Sequence, residues 1–155
     1  MTKDPQGWEL GVNSVKLTPE FQQLVSATTT IALPEKLRMQ FIHADHVVLP
    51  TKGLPTDWLV LGSSDHCAVQ GVLQPGRVLT FQGHFEFDRF ISTETIKVFG
   101  APWDEAVRAE ALRKIDADDD ADFAAVLAAS FLAGVGLGSK DEARKTGLLT
   151  PPEEA

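Results

Sequence analysis

Alternating apolar and polar positions near the start of the chain predict a β-strand followed by a helix. Apolar side chains recur at every second position over residues 8–17 with one slip, which indicates a strand with a bulge near Asn13. Thr18 offers a capping hydroxyl and Pro19 suits a first helical turn, so a short helix is predicted over residues 21–27.

The middle of the chain has the strongest strand pattern. Residues 34–37 predict a helical turn, and residues 39–50 predict two extended pieces that break at residues 44–45. Further strands are predicted over residues 58–63, 67–73 and 78–82. Pro75 and Gly76 occupy the central positions of a type II turn, so the last two strands should form an antiparallel hairpin.

Helical patterns dominate the rest of the chain. Asp88 can cap a helix that runs through Phe99 and stops at Gly100. Apolar residues at helical spacing predict two more helices within residues 103–115 and 123–133. The sequence thus favours an α/β fold class.

Two segments have no apolar pattern of their own. The acidic run at residues 116–122 predicts a solvated linker, and residues 134–155 predict a mobile tail. We therefore expect one domain over residues 1–133.

Composition narrows the classes of partner. The chain of 155 residues is 43% apolar, carries a net charge of -8 and has one cysteine. Such a surface repels nucleic acid and anionic membranes, and a single cysteine excludes an intrachain disulfide framework. Residues 1–11 lack the apolar core of a secretory signal, so a soluble, cytoplasmic protein without nucleic-acid or membrane partners is expected.

His84 and Glu86 are the first candidates for chemistry. They lie just past a predicted strand, where a carboxylate can orient an imidazole for acid/base work. The spacing alone is not specific, because His-x-Glu also occurs among ordinary surface residues.

Four short motifs in order make the assignment more specific. They are GWELG with VKLT (residues 7–11 and 15–18), HADHV with LP (43–47 and 49–50), LGSS with CAVQG (61–64 and 67–71), and FQGHFEFD (81–88). Together these motifs resemble the C-terminal half of class I glutamine amidotransferase domains, above all the stand-alone fungal type. The resemblance covers residues 5–100 and leaves residues 101–133 as a helical extension.

The resemblance implies a fold and roles for two residues. The fold would be a truncated flavodoxin-like class I glutamine amidotransferase fold, with mixed and antiparallel strands and a helical C-terminal extension. His84 would be the base of a Cys-His-Glu triad and Glu86 its orienting carboxylate.

This chain departs from the family pattern in three ways that matter. The Gly-x-Cys-x-Gly nucleophile turn, expected before Asp4, is absent together with the strands that precede it. Phe85 stands where the family usually has proline between His and Glu, which removes a fixed backbone angle.

Cys67 and His43 are possible additional site residues. Cys67 is the one thiol, but its place in the resemblance is remote from the nucleophile and a buried cysteine is usually a small apolar residue. His43, Asp45 and His46 are residue types that bind zinc or iron, yet the two histidines should face opposite sides of an extended segment. We therefore predict no metal and no cofactor.

Three functions follow as hypotheses. The leading one is a cofactor-free biosynthetic enzyme of isomerase or lyase type, in specialised metabolism, whose His84 and Glu86 transfer protons on a small molecule. The alternatives are a non-catalytic partner-binding subunit and one half of a split glutamine amidotransferase. Exposed sheet edges would favour a homodimer or a partner chain that completes the sheet.

Overall fold

The computed structural model describes residues 2–30 and 32–134, and the predicted tail lies outside these ranges apart from Gly134. The strands within them are β1 Thr2–Lys3, β2 Glu9–Leu17, β3 Lys36–His43, β4 Asp45–His46, β5 Leu59–Val60, β6 Gly62–Ser63, β7 Val72–Gln74 and β8 Val78–Leu79. The helices are α1 Pro19–Thr28, α2 Arg89–Phe99, α3 Glu105–Ile115 and α4 Ala121–Leu132. The predicted α/β class is confirmed.

Antiparallel pairs form all three described sheets. Their strand orders are β3-β2-β6, β5-β7-β8 and β1-β4. The β2–β3 register runs without a break from Glu9 opposite His43 to Lys16 opposite Lys36, so the bulge predicted near Asn13 is wrong. The slip in the pattern marks a change of buried face: Leu10 packs in one apolar cluster, whereas Val15 and Leu17 pack in another on the opposite side of the strand.

The predicted helical turn at residues 34–37 is also wrong. β3 already begins at Lys36, because alternate side chains of the segment bury Leu37, Met39 and Phe41 in the core. The preceding helix α1 starts as predicted: Pro19 is its first residue, and the Thr18 hydroxyl accepts a hydrogen bond from the Phe21 amide at 3.3 Å.

The hairpin β7–β8 is confirmed, although its strands are shorter than predicted. Arg77 N–H donates to the Gln74 carbonyl at 3.0 Å, and Gly76 has a φ of 70°, as a type II turn requires. Residues 67–71 lie outside β7 because the loop before them is held by a side chain: the Ser64 hydroxyl accepts from the Cys67 amide at 3.0 Å.

Two apolar clusters hold the elements together. The larger one joins α1, the inner faces of β2 and β3, the hairpin strands and α4, and includes Phe21, Leu61 and Leu127. The smaller one packs α2 and α3 on the other face of β2, around Leu10 and Ile115. The helices after residue 100 are thus part of the core packing.

The acidic segment between α3 and α4 is not simply a solvated linker. The Asp120 carboxylate accepts hydrogen bonds from the Arg38 amide at 2.8 Å and from its guanidinium at 2.7 and 3.1 Å, while Asp120 N–H donates to the Arg38 carbonyl at 2.8 Å. The segment therefore pairs with the outer edge of β3, and this pairing lowers the pKa of Asp120.

Asp88 caps α2 as predicted, with its carboxylate 2.7 Å from the Ile91 amide. We expect Asp88→Ala to lower the free energy of unfolding by about 1 kcal/mol, because the amide loses its acceptor. Urea denaturation of Asp88→Ala beside Glu35→Ala, which removes an exposed carboxylate that makes no hydrogen bond or ion pair with the described residues, measures this effect. Equal midpoints for the two variants would contradict the role of the cap.

Candidate functional site

His84 and Glu86 are hydrogen-bonded to each other on the surface of the protein. The distance from His84 Nδ1 to Glu86 Oε1 is 2.7 Å, and the two side chains are 32% and 55% exposed. The imidazole lies flat on Phe87, with ring centroids 4.0 Å apart and an interplanar angle of 8°. The ring is therefore held by a carboxylate on one edge and by an aromatic face, while remaining open to solvent.

The backbone of β3 positions this pair. His84 N–H donates to the Gln40 carbonyl at 2.8 Å in an isolated antiparallel bridge. Gly83 makes the approach possible, since a Cβ there would lie 2.8 Å from the Phe41 ring and 2.9 Å from the Met39 side chain. β8, the strand that precedes the pair, ends at Leu79 and not at residue 82 as predicted. The backbone bridge to Gln40 of β3 therefore fixes the position of His84.

Phe85 stands where the family usually has proline, and packing of its ring holds this part of the backbone. Its ring meets the edge of Phe81 with centroids 5.6 Å apart, and both rings pack against the larger apolar cluster. This contact anchors the backbone between His84 and Glu86 without a fixed proline angle.

The carboxylate of the pair remains ionised. Burial alone would raise the pKa of Glu86, but the hydrogen bond to His84 and nearby backbone amides together lower it below the usual value of a glutamate. An ionised Glu86 accepts a hydrogen bond from Nδ1–H and so leaves Nε2 as the basic nitrogen. The arrangement is suited to general acid/base chemistry at Nε2.

A cavity of about 500 Å³ lies beside the pair, between residues 85–89 and the α3–α4 segment. Its charged lining is acidic, with Arg89 as the cationic exception, and the Arg89 guanidinium is 2.9 Å from Asp118. The carboxylates are those of Glu86, Asp88, Asp118, Asp119 and Asp122. Such a cavity favours neutral or cationic molecules over anions.

Cys67 is buried away from solvent. Its side chain belongs to the core, with the residue 2% exposed, and the Sγ atom is 3.5 Å from the Val69 carbonyl. Burial raises the pKa of the thiol. A neutral, buried thiol is a poor nucleophile.

We expect Cys67 to react with a disulfide reagent only when the protein opens. The rate of modification in native buffer should fall at least about hundredfold below the rate in denaturant, because the thiolate fraction and its access are both low. Absorbance of the released thiol measures both rates. Equal rates would show that the thiol is exposed and reactive.

His43 belongs to a buried network around Glu9, a residue that sequence reasoning did not select. Glu9 is 3% exposed, and its carboxylate accepts hydrogen bonds from His43 Nε2 at 3.0 Å, Ser64 Oγ at 2.7 Å and Gln70 Nε2 at 2.7 Å. Burial raises the pKa of Glu9, but these three donors outweigh it and leave the pKa lowered. His43 Nδ1 lies 2.8 Å from the Asp45 carbonyl, so both ring nitrogens are engaged.

A second buried carboxylate, Asp4, lies against two more histidines. Its Oδ2 atom is 2.9 Å from His46 Nδ1 and 3.5 Å from His66 Nε2, and its Oδ1 atom accepts from the Gln6 amide at 2.8 Å. The amide of Gln6 and the two histidines lower the pKa of Asp4 against its burial. Sequence signals for either network were weak, because the partners are far apart along the chain.

The acidic and imidazole groups do not assemble a metal site in the part of the chain that the structure describes. No three His, Cys, Asp or Glu side chains converge there as ligands. His43 and His46 instead bind two different carboxylates, Glu9 and Asp4.

Comparison with known proteins identifies the relatives of this chain. A glutamine amidotransferase-like protein of Schizosaccharomyces pombe is 29% identical over 132 residues, which is 84% of this chain and 49% of that protein. A glutamine amidotransferase-named protein of Saccharomyces cerevisiae is 36% identical over 86 residues, or 56% of this chain and 30% of that protein. The chain resembles glutamine amidotransferases in sequence.

Solved structures extend the resemblance to the fold. A glutamine amidotransferase from Thermotoga maritima matches 89% of this chain and 54% of its own, with a TM-score of 0.58 at 17% identity. One from Methylobacillus flagellatus matches 99% of this chain and 57% of its own, with a TM-score of 0.53 at 17% identity. The predicted class I amidotransferase-like fold is confirmed.

The amidotransferase-like chain spans half the length or less of the curated relatives it matches. No protein-family model matches it. The four described helices of this amidotransferase-like chain are all too short or too polar to cross a membrane.

Proposed function

We propose that His84 and Glu86 form the acid/base pair of a glutamine amidotransferase site whose thiol comes from a polypeptide segment outside the described residues. The 2.7 Å contact between Nδ1 and Glu86 carries the proposal, because it leaves Nε2 free to take a proton. The names and folds of the relatives support glutamine as the substrate class.

The proposed reaction requires a thiol that this pair can activate. His84 Nε2 accepts the thiol proton, and the thiolate attacks the amide carbon of glutamine to form a tetrahedral intermediate. The C–N bond then breaks, and ammonia leaves with the proton that the imidazolium returns. Water hydrolyses the remaining thioester to glutamate and regenerates the thiol. Glu86 stabilises the imidazolium throughout.

A second candidate uses the same pair without a nucleophile. The acidic cavity beside Glu86 suits a neutral or cationic small molecule, on which His84 would catalyse an isomerisation, cyclisation or elimination in a biosynthetic pathway. This reaction needs no cofactor, and it places the chain in the isomerase or lyase class. A homodimer or a partner chain that completes the sheet is compatible with both candidates.

One assay tests the amidotransferase proposal. Ammonia release from glutamine should be absent for the chain alone and should appear when the part of the S. pombe relative that this chain does not match is added. A mixture in which every cysteine of that part is changed to alanine is the matched control. Release in the control as well would contradict thiol chemistry. A complex that forms without release would contradict the amidotransferase proposal and favour a non-catalytic, partner-binding subunit.

A further inference from the structure

An apolar cavity, separate from the cavity beside His84, lies between the start of α1 and β5. Its volume is about 360 Å³, which is within the range of sites for small molecules. We call it the α1–β5 cavity and define it by six of the residues that line it: Thr18, Glu20, Leu49, Leu54, Trp58 and Val60. None of them lines the cavity beside His84.

Two hydrogen bonds fix the start of α1 against the strands that follow residue 58. The Thr18 hydroxyl donates to the Val60 carbonyl at 2.6 Å, and the Thr18 amide donates to the Leu61 carbonyl at 3.0 Å. Because β2 and β6 are antiparallel, the chain that runs forward from Thr18 to Glu20 lies beside the chain that runs back from Val60 to Trp58. Glu20 and Trp58 are each two residues from the contact between Thr18 and Val60, so one small molecule can reach both side chains.

A tight turn supplies apolar side chains to the same cavity. The Gly53 amide donates to the Pro50 carbonyl at 2.8 Å, and Leu49 and Leu54 flank this turn. Leu49 is 37% exposed, and Leu54 and Trp58 are half-buried. Together these side chains offer an apolar surface, part of it aromatic, on which a flat ring can pack.

Glu20 gives the α1–β5 cavity a negative charge. It is the charged member of the lining, it is exposed, and its carboxylate makes no hydrogen bond or ion pair with the described residues. Lys52, on the turn between Leu49 and Leu54, is exposed and is not part of the lining. The net charge of -8 on the whole chain adds to the preference of this cavity for cations.

We propose that the α1–β5 cavity binds small organic cations that combine an ammonium group with a flat apolar ring. The ammonium group pairs with the Glu20 carboxylate, and the ring packs on Trp58 beside Leu49 and Leu54. An uncharged molecule gains the apolar contact alone, and an anion is repelled by Glu20. The site shares no residue with His84 and Glu86, so it is independent of the amidotransferase proposal.

Phenethylamine is the probe that tests this site. Titration of the full chain should shift the Trp58 indole N–H signal in ¹H–¹⁵N spectra. The indole signals of Trp8 and Trp103 should stay in place, since neither residue lines the α1–β5 cavity.

Two matched ligands separate the contributions of charge and ring. Hydrocinnamate has the same ring and linker as phenethylamine but carries a carboxylate, and ethylamine has the ammonium group without the ring. Each should shift the Trp58 indole signal about tenfold less than phenethylamine at equal concentration, because each lacks one part of the recognition.

Substitutions assign each part of the recognition to one residue. Glu20→Gln should weaken phenethylamine binding about threefold, the effect of one exposed ion pair, and should leave the weaker binding of phenethyl alcohol unchanged. Trp58→Leu should weaken the binding of both ligands about tenfold, followed at the Val60 amide, because the ring loses its aromatic contact.

Glu35→Gln and Trp8→Leu are the matched controls. Glu35 is an exposed carboxylate and Trp8 is a 43% exposed indole, and neither lines the α1–β5 cavity. Both variants should bind phenethylamine as tightly as the wild type does.

Three results would overturn the proposal. They are phenethylamine shifts that are absent or centred outside the α1–β5 cavity, equal affinities for phenethylamine and hydrocinnamate, and equal losses of affinity in Glu20→Gln and Glu35→Gln. Thermal melts of each variant distinguish a lost site from a lost fold. A Trp58→Leu variant that melts early is replaced in the titration by Trp58→Phe, which keeps a ring and should lose less affinity.

Discussion

Glu9→Gln should destabilise the protein by about 3 kcal/mol, because one partner of a buried ionic network is removed while the others remain buried. A glutamine amide has one oxygen, which can still accept from His43 and Gln70, but its NH2 group then faces Ser64 Oγ, an atom that already accepts from the Cys67 amide and the Gln70 side chain. Ser64 would lose its charged acceptor as well. Urea denaturation at neutral pH measures the loss.

The pH dependence of this loss has a defined sign. The folded state lowers the pKa of Glu9, so its ionised form contributes stability above the ordinary pKa of a glutamate, and that contribution disappears as the pH falls through the lowered value. The difference between wild type and Glu9→Gln should therefore be full at neutral pH and should shrink in acid.

Glu35→Gln is the matched control for this change. Glu35 is exposed and makes no hydrogen bond or ion pair with the residues that the structure describes, so its substitution should alter stability by less than about 0.5 kcal/mol at any pH. A Glu9→Gln loss that stayed constant from neutral to acid pH would contradict an ionised network.

Local patterns explain why much of the fold was predictable. Thr18, Pro19 and Asp88 are cap residues whose effects extend over one helical turn, and both helices start where these residues predict. The Pro75 and Gly76 pair likewise determines its own turn and so the β7–β8 hairpin.

The errors have a common physical cause, which is tertiary contact. A helical turn was expected at residues 34–37, but pairing with β2 and burial of Leu37 place Lys36 and Leu37 at the start of β3. The acidic run was expected to be solvated, yet Arg38, distant in sequence, binds Asp120. Propensity cannot anticipate partners that only the folded chain brings together.

The candidate site also contains local contacts that the sequence predicts and long-range contacts that it does not. The contact between His84 and Glu86 follows from a spacing of two residues and was predictable, together with the fold that the motifs imply. The Glu9 and Asp4 networks join groups more than thirty residues apart, with separations of 34 to 61 positions for Glu9 and 42 for the Asp4–His46 bond. Sequence offered no local signal for them.

His84→Ala should have the largest effect on activity. In the ammonia-release assay, with the unmatched part of the S. pombe relative added, we expect kcat to fall about 10²- to 10⁴-fold with little change in KM. The reason is that an acid/base group acts in the transition state. The fold should persist, since the imidazole is 32% exposed and outside the core. Added imidazole should restore part of the rate, a result that a merely structural role would not produce.

Glu86→Gln tests the orienting carboxylate in the same assay. A neutral amide keeps the shape of the side chain but stabilises the imidazolium less, so a smaller loss of kcat than in His84→Ala is expected. Asp122→Asn provides the control, because Asp122 lines the same cavity as Glu86 but is not hydrogen-bonded to His84. Equal losses in Glu86→Gln and Asp122→Asn would attribute the effect to the overall charge of the cavity, and full activity in His84→Ala would remove the pair from the mechanism.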